Sequence, residues 1–410
     1  MKINLGIGFV TGRKSFKSLV KTYIESLNES QISCEKVNVN LFVNFDLGYT
    51  KTNINDYIIT DKNVLDIVNS ICYIDKYKIS EEINYLTEHN IVTLDEANLI
   101  FGEGYAMKRN TILYFAIKYK MDCLIFIDDD EYPVAPIEIN NELVWKGQDI
   151  LSAHINSIKN SNITYGYQCG YISPIPVIKF TSSFTENDFK IFIKSISNDI
   201  INWNSIKEKM INGGITYADP KVINKNSTEN VKAINGMKFI SGSNLCFNLK
   251  ELDKLYPFYN PPGARGEDTF MSTCLSKCTV KKVPYYTFHD GFSKYQHILK
   301  GILPNKLHAV IPNTDSIATR FLLASIGWIR YKPLLLYITN RENYQITIDI
   351  IRKNLYEVVP KICHYFKDKR FLNILSELNL YASNVKKHYE DFQKTKSAWI
   401  KVKNFASKFQ

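Results

Sequence analysis

The chain has 410 residues, 45% of them hydrophobic and 22% charged, enough to bury a substantial core in one large domain or two to three smaller ones. This composition excludes collagen-like, low-complexity and generally disordered chains. The formal net charge is +10 and unevenly spread: residues 294–410 hold 20 Lys/Arg against 8 Asp/Glu, residues 1–293 hold 31 against 33. A basic C-terminal third suits an anionic partner such as a membrane surface, a phosphate-bearing polymer or nucleic acid.

The elements are read in chain order. Ile3–Val10 is a buried strand, with Thr11-Gly12-Arg13 as the turn after it. Ser15–Leu27 has helical spacing, and Val37–Phe45 alternates as a second strand. Val64–Tyr77 and Glu81–His89 read as helices, and Ile91–Leu94 as a short strand. Gly102 and Gly104 open a helix over Tyr105–Tyr119. Cys123–Ile127 is an apolar strand that ends abruptly in Asp128-Asp129-Asp130-Glu131. Repeated strand–helix–strand order predicts a parallel, doubly wound sheet. Further on, Ile163–Ile172, Phe239–Phe247 and Val280–His289 read as strands and Asn187–Met210 as a helix broken by Gly213-Gly214. Glu267–Leu275 starts a helix after the loop Pro261-Pro262-Gly263, and from Ser293 the spacing is mainly helical.

Eight scattered cysteines show neither zinc spacing nor a disulfide framework and read as buried free thiols in a reducing compartment. The N-terminus lacks the pattern of a signal peptide. No run of 18 uncharged apolar residues occurs, so no membrane span is expected; Phe321–Tyr337 comes closest, interrupted by Arg330 and Lys332.

Three acidic stations could carry chemistry. Asp128, Asp129 and Asp130 follow a buried strand, where ligands of open α/β sheets bind. Clustered carboxylates are tolerable there if a divalent cation such as Mg²⁺ or Mn²⁺ neutralises them; the plainer alternative is a solvated acidic turn. Glu267-Asp268 opens a helix, where carboxylates suit the dipole. Asp268 is either a simple cap or a general base that takes a proton from an attacking hydroxyl. His289 ends the last strand, either as a structural residue or as a metal ligand. Basic groups for a diphosphate are Arg13 and the Lys108/Arg109 pair, which equally fits a solvated helix face. Gly6, Gly8 and Gly12 do not match a dinucleotide fingerprint, and no phosphate-binding P-loop is present.

The ordered set Thr11-Gly12-Arg13, Arg109-Asn110, Asp128-Asp129-Asp130, Ser241-Gly242-Ser243-Asn244, Gly266-Glu267-Asp268 and His289 resembles the GT-A class of nucleotide-sugar glycosyltransferases, in particular the inverting family-2 type. The likeness covers residues 3–292. It implies an α/β fold, a Rossmann-like mixed sheet flanked by helices over 1–292, with helical insertions near 50–90 and 181–235. Residues 293–410 form a basic, mainly helical region. It also implies a nucleotide-diphospho-sugar donor, a UDP-sugar first and a GDP-sugar second, with Mn²⁺ or Mg²⁺. By the resemblance Asp128, Asp130 and His289 form the metal site: Asp130 binds the metal, Asp128 approaches the ribose or the metal's water, and His289 completes the shell, with either pair of the triplet open as the D-x-D motif. Thr11, Gly12, Arg13, Arg109, Asp128 and Asp129 line the nucleotide pocket. Asp268 is the base and Glu267 holds the acceptor.

The acceptor implied is a glycan, lipid-linked or anionic polymer, in a cytoplasmic setting at the inner face of the membrane. Peripheral membrane contact would run through the basic C-terminal region. Three readings compete: a retaining enzyme on the same fold, a sugar-nucleotidyltransferase, and a nucleic-acid-binding protein. No nucleic-acid motif is present, so no nucleic-acid partner is expected.

Overall fold

The computed structural model describes residues 2–30, 36–197, 203–225, 227–312 and 315–409. The chain begins β1 (Ile3–Thr11), α1 (Phe16–Asn28), β2 (Val37–Phe45), a single turn α2 (Lys62–Leu65), β3 (Val68–Ile74), α3 (Lys76–Glu88), α4 (Leu94–Ile100), α5 (Tyr105–Lys118) and β4 (Cys123–Phe126). Next come β5 (Glu131–Tyr132), the hairpin β6 (Val134–Ile139) and β7 (Glu142–Gly147), α6 (Ile150–Ile158) and β8 (Ile163–Gly170). The helices α7 (Glu186–Ile196), α8 (Trp203–Ile211) and α9 (Pro220–Ile223) follow, then β9 (Glu229–Asn230), β10 (Leu245–Asn248), α10 (Glu267–Ser272) and β11 (Val280–His289). Four helices close the chain: α11 (Asp315–Thr339), α12 (Tyr344–Phe366), α13 (Asn373–Ser383) and α14 (Val385–Lys408).

The main sheet has the order β3-β2-β1-β4-β10-β8-β11-β5, with β9 beside β11. Strands β3, β2, β1 and β4 run parallel. β10 then enters antiparallel to both β4 and β8. The result is the expected Rossmann-like mixed sheet flanked by helices, followed by a mainly helical C-terminal region. Continuous apolar runs such as Leu5, Ile7 and Phe9, or Leu124 to Ile127, are buried because helices cover both sheet faces.

The inserted strand positions the site. Since β10 runs against β4, residues just before it lie at the same sheet edge as residues just after β4. Leu245 pairs with Phe126, so Ser243-Asn244 abuts Asp128. A buried polar cluster fixes this junction. His154 Nε2 donates to Asn244 Oδ1 at 2.8 Å, and Thr164 Oγ1 lies 2.7 Å from His154 Nδ1. Asn244 Oδ1 can only accept, so the imidazole is the neutral Nε2–H tautomer and Thr164 donates to it. Asn244 Nδ2 donates to the carbonyls of Tyr167 and Tyr285, which ties β10 to β8 and β11.

Several sequence expectations need correction. Val64–Tyr77 is not a helix: an Asp61-capped turn gives way to β3, which fills the open edge of β2, with Ser70 Oγ and Asn69 Nδ2 donating to Asn40 Oδ1. Ile91–Leu94 is not a strand. Thr93 and Glu96 form a reciprocal capping box that starts α4. Of Phe239–Phe247, only Leu245 onward is strand, because Asn244 takes φ 50°. Asn187–Met210 is two helices, with 198–202 outside the described residues. The unforeseen β6–β7 hairpin turns on Asn140-Asn141, both at positive φ, as a two-residue type I′ loop requires. The seven described cysteines are free thiols, as expected; Cys34 lies outside the described residues.

The C-terminal helices are built into the molecule. Trp399, Val402 and Ala406 of α14 join the core cluster that contains Ile112 and Ala116 of α5. Trp399 Nε1 donates to Leu255 O at 3.1 Å. Among the described residues one helix, Ser316–Thr339, is long and apolar enough by length and composition to cross a membrane, and 67% of that window is buried inside the protein. Phe321, Leu334, Leu335 and Leu336 face the interior, so they do not form an exposed apolar strip. Lys332 is itself buried and donates to Ser197 O at 2.7 Å.

Burial lowers the His154 pKa from 6.5 to about 4, against the opposing pull of the hydrogen bond to Asn244. The unfolded chain therefore takes up a proton here at a higher pH than the folded chain does. Stability contributed by neutral His154 is present above pH 6.5 and falls as pH drops toward 4, by up to about 3 kcal/mol. Expected: His154→Gln is less stable than wild type at pH 7, and the gap narrows at pH 4.5 in urea unfolding. A gap independent of pH would contradict the neutral, buried imidazole.

Candidate active site

The turn after β4 places four consecutive carboxylates at the sheet edge, and each has a different environment. Asp129 accepts from Thr11 Oγ1 (2.9 Å), Gly12 N (3.1 Å) and Arg13 Nε (2.9 Å). Arg13 also donates from Nη2 to Asp130 at 2.7 Å and from Nη1 to Ser293 Oγ. One guanidinium from the end of β1 thus bridges two carboxylates from the end of β4. Asp128 instead meets Arg109 Nη2 at 2.8 Å and the Tyr105 hydroxyl, both from α5. Glu131 turns inward and accepts from Ser243 Oγ (2.8 Å), Thr287 Oγ1 (2.7 Å) and Gln168 Nε2.

The second station reaches the first through Arg109 and Gly242. Gly266 holds φ 86° at the start of α10, a left-handed turn suited to glycine, and Glu267-Asp268 follows in the first helical turn. Arg109 Nε lies 3.8 Å from Glu267 Oε1, and the same guanidinium donates to the Gly242 carbonyl. A Cβ on Gly242 would stand 3.3 Å from Glu267 Oε1, 3.5 Å from Asp268 Oδ2 and 3.6 Å from Arg109 Nη2. The bare backbone at 242 is what lets these three groups close on one point.

His289 ends β11 beside Asp130, with Nε2 3.4 Å from Asp130 Oδ1. Its Nδ1 faces the Tyr171 carbonyl at 2.8 Å, so that nitrogen is the donor and Nε2 is directed at the carboxylate. The structure therefore gathers Thr11, Gly12, Arg13, Arg109, Asp128, Asp129, Asp130, Glu267, Asp268 and His289 around one edge of the sheet. It does not bring Lys108 or Asn110 there. Lys108 pairs with Asp46 at 2.6 Å, and Asn110 bonds both backbone groups of Phe258. Sequence reasoning assigned no role to Ser243, Tyr105 or Glu131. Ser243 Oγ joins the Asp128 N–H (3.0 Å) to Glu131. A polar pair ahead of a strand was visible, but its register against β4 was not.

Burial and neighbouring charges perturb these groups in opposite directions. Burial, then neighbouring Asp130, raises Asp129 to about 6 against the pull of Arg13. Burial raises Glu131 to about 7, with Asp128 adding to it. Burial and Asp268 raise Glu267 to about 7, and burial also raises Asp268 against the Thr269 N–H, Arg109 and the Gly242 N–H. Burial would raise Asp130 as well, but His289 and Arg13 hold it below the usual carboxylate range. Burial disfavours the His289 imidazolium, yet Asp130 brings it up to about 9.

Asp130 and His289 offer oxygen and nitrogen at neighbouring positions, and the Tyr171 carbonyl orients the imidazole as the outer partner of a metal-bound histidine does. Among the described residues no three His, Cys, Asp or Glu groups converge as a complete metal site. Asp128 Oδ1 is engaged with Arg109 and Tyr105, and Asp130 Oδ2 with Arg13, so Asp130 offers its Oδ1, the oxygen that faces His289. The pair fits a hard cation that draws its other ligands from phosphate oxygens and water, the habit of Mg²⁺.

A cavity of about 460 Å³ lies alongside, lined by Tyr165, Tyr167, Lys209, Ser241, Lys282 and Trp328, among others. Ser241 places it next to Gly242 and so next to Asp268. Lys282 Nζ sits 3.5 Å from the Tyr167 ring centroid, and burial brings its pKa down to about 8.

No family model matches the sequence, and no curated protein matches it. Among solved structures, S. aureus TarS 1–349 in complex with UDP-GlcNAc aligns over 98% of this chain and 91% of that chain, at TM-score 0.38 and 9% identity. The mannosyltransferase PcManGT from Pyrobaculum calidifontis, in complex with GDP-Man and Mn²⁺, aligns over 94% and 88%, at 0.35 and 10%. Mouse xyloside xylosyltransferase 1 aligns over 68% and 74%, at 0.27 and 10%. At identities and scores this low the likenesses carry no argument about chemistry, which rests on the site itself.

Ser243 supplies the hydroxyl that satisfies both the Asp128 N–H and a buried Glu131 oxygen. Expected: Ser243→Ala costs about 1–3 kcal/mol, the range for stranding buried polar groups. The half-buried Ser241→Ala costs about 0.5 kcal/mol or less. Urea unfolding of the two variants checks the contrast.

Proposed function

We propose that the protein is a glycosyltransferase that moves a sugar from a nucleotide-diphospho-sugar to an acceptor hydroxyl, with inversion at the anomeric carbon. One observation carries the reading. The carboxylates that end β4, with His289 against Asp130, share an edge with Glu267-Asp268, and Arg109 and Gly242 join the two stations.

Asp130 and His289 would hold the divalent cation, Mn²⁺ or Mg²⁺. When bound, it supplies positive charge against the diphosphate that leaves the sugar. The chain's own groups do the rest. Tyr49, exposed and packed on Gly12 with Arg13 5.8 Å from its ring centroid, offers a face for the nucleobase. The acceptor enters by the cavity beside Ser241, whose Tyr165, Tyr167 and Trp328 rings suit the flat faces of sugars. Asp268 takes the proton from the acceptor hydroxyl as the oxygen attacks the anomeric carbon. The bond from that carbon to the diphosphate oxygen breaks, and the electron pair leaves with the nucleoside diphosphate. A raised pKa suits a base that operates near neutral pH. Glu267, held by Arg109, orients the acceptor.

Expected: Asp268→Asn binds donor as wild type does but transfers sugar about 10²–10⁴-fold more slowly. Asp130→Ala loses metal-dependent donor affinity in calorimetric titration. Near-wild-type turnover of Asp268→Asn would remove the base assignment. Retention of anomeric configuration, read by NMR of the product, would remove the single displacement.

A further inference from the structure

The arginines that the sequence offers to a diphosphate are already engaged. Arg13 bridges Asp129 and Asp130. Arg109 is buried and divided among Asp128, Glu267, Tyr105 and the Gly242 carbonyl. Both neutralise carboxylates and have little charge left for a ligand.

Arg320 differs. It belongs to α11, outside the α/β part of the chain, yet it reaches the same ground. Its guanidinium lies over the Phe292 ring, 4.9 Å from the centroid. A Cβ on Gly291 would stand 3.2 Å from Arg320 Nη2 and 3.1 Å from His289 Cε1. The guanidinium and the imidazole therefore flank one backbone position. Asp130 and Arg13 lie within Coulombic reach. Among the described residues Arg320 makes no hydrogen bond or ion pair, and its contact with the Phe292 ring uses none of its N–H groups as a hydrogen-bond donor to oxygen or nitrogen. Arg265 stands near it. Its backbone N–H donates to Gly327 O at 3.2 Å, and a Cβ on Gly327 would meet Arg265 Cγ at 2.8 Å. Residues 320 and 327 are two helical turns apart on one face of α11. The loop that leads into Glu267-Asp268 is thereby seated on the helix that presents Arg320.

We propose that Arg320, with Arg265 beside it, forms an anion subsite that takes the diphosphate of the nucleotide-sugar and its nucleoside diphosphate product. The inference rests on the glycosyltransferase reading and names a part of that site. A guanidinium stays charged at all working pH values and can offer two parallel N–H groups to phosphate oxygens. The subsite places that charge next to Asp130 and His289, where phosphate oxygens would complete a cation's shell.

The test titrates full-length wild type, Arg320→Gln, Arg320→Lys and Arg265→Gln with UDP, GDP, UMP and GMP in Mg²⁺ buffer. Melting curves accompany each titration. Expected: Arg320→Gln weakens the diphosphate that wild type binds by about 10- to 100-fold, the range of hydrogen bonds to charged groups. The matching monophosphate changes by about twofold or less, and Arg320→Lys recovers part of the loss. Exposed Arg265→Gln costs about threefold. Unchanged diphosphate affinity in the Arg320 variants, or equal loss for mono- and diphosphate, overturns the subsite and leaves the enzyme reading intact. A wild type that binds neither diphosphate overturns that reading, and the subsite with it. If Arg320→Gln does not fold, Arg320→Lys and Arg265→Gln decide: affinities equal to wild type in both overturn the proposal.

Discussion

The site depends on one electrostatic constraint, the crowding of Asp128, Asp129, Asp130, Glu131, Glu267 and Asp268 at one end of a sheet. Like charges at this spacing and burial do not stay ionised without counter-charge. Arg13 and Arg109 supply it from opposite sides, one from the end of β1 and one from α5. Each is shared between two carboxylates, so neither neutralises the group fully. Burial first, and the neighbouring carboxylates second, raise Asp129, Glu131 and Glu267. Such a cluster is not built for stability, and the proposed cation would relieve part of its charge. Removing one partner of a buried ion pair typically costs about 3–5 kcal/mol, so the arginines are as much part of the fold as of the chemistry.

The antiparallel entry of β10 makes the cluster possible. A wholly parallel sheet would carry the segment before that strand to the opposite edge. Running it backward brings Ser243 and Asn244 beside Asp128, where Ser243 fixes the acidic turn and Asn244 locks onto His154. Asn244 occupies space that only a glycine leaves open: a Cβ on Gly166 would lie 1.9 Å from Asn244 Nδ2. Gly166, Gly242 and Gly266 thus serve close approach, clustering and a left-handed turn respectively, three separate demands at one site.

The legible parts of the sequence were those in which local pattern and tertiary role agree. The apolar runs of β1, β2 and β11 matched strands to within a residue or two, and the acidic triplet after an apolar strand pointed to the candidate site. Elements set by partners were not legible. Val64, Ile67, Ile71 and Ile74 keep helical spacing, yet β2 needs an edge partner and the segment pairs as β3. Positive φ at Asn244 and at Asn140-Asn141 ends or turns strands where hydrophobicity gives no sign. The Thr93/Glu96 capping box was readable and outweighs the weak strand signal of Ile91–Leu94. Arg320 was the hardest to see. It stands 190 residues from Asp130 in sequence, and only the packing of α11 brings it near.

That packing changes the meaning of the basic C-terminal third. Its charge excess suggested an outward-facing surface, but part of it is used internally. Lys401 pairs with Glu96, Lys361 with Asp188 and Arg330 with Glu377, while Lys403 donates to the Leu252 and Leu255 carbonyls. The helices grip the α/β part at two separate places. α14 inserts Trp399 against the α5 side, and α11 seats the Arg265 loop next to Glu267-Asp268. A shift of α11 along its axis would therefore move Arg320 and the start of α10 together, the proposed diphosphate contact and the proposed base. Shared support of this kind ties donor grip to base position through one rigid helix rather than through a relay of side chains. Pro333 lies within α11, but buried Leu334, Leu335 and Leu336 follow it directly, and Arg330 is clamped to Glu377 just before it. The anchored stretch thus lies one to two turns beyond Gly327, close enough to hold the face that carries Arg320 in register with the site.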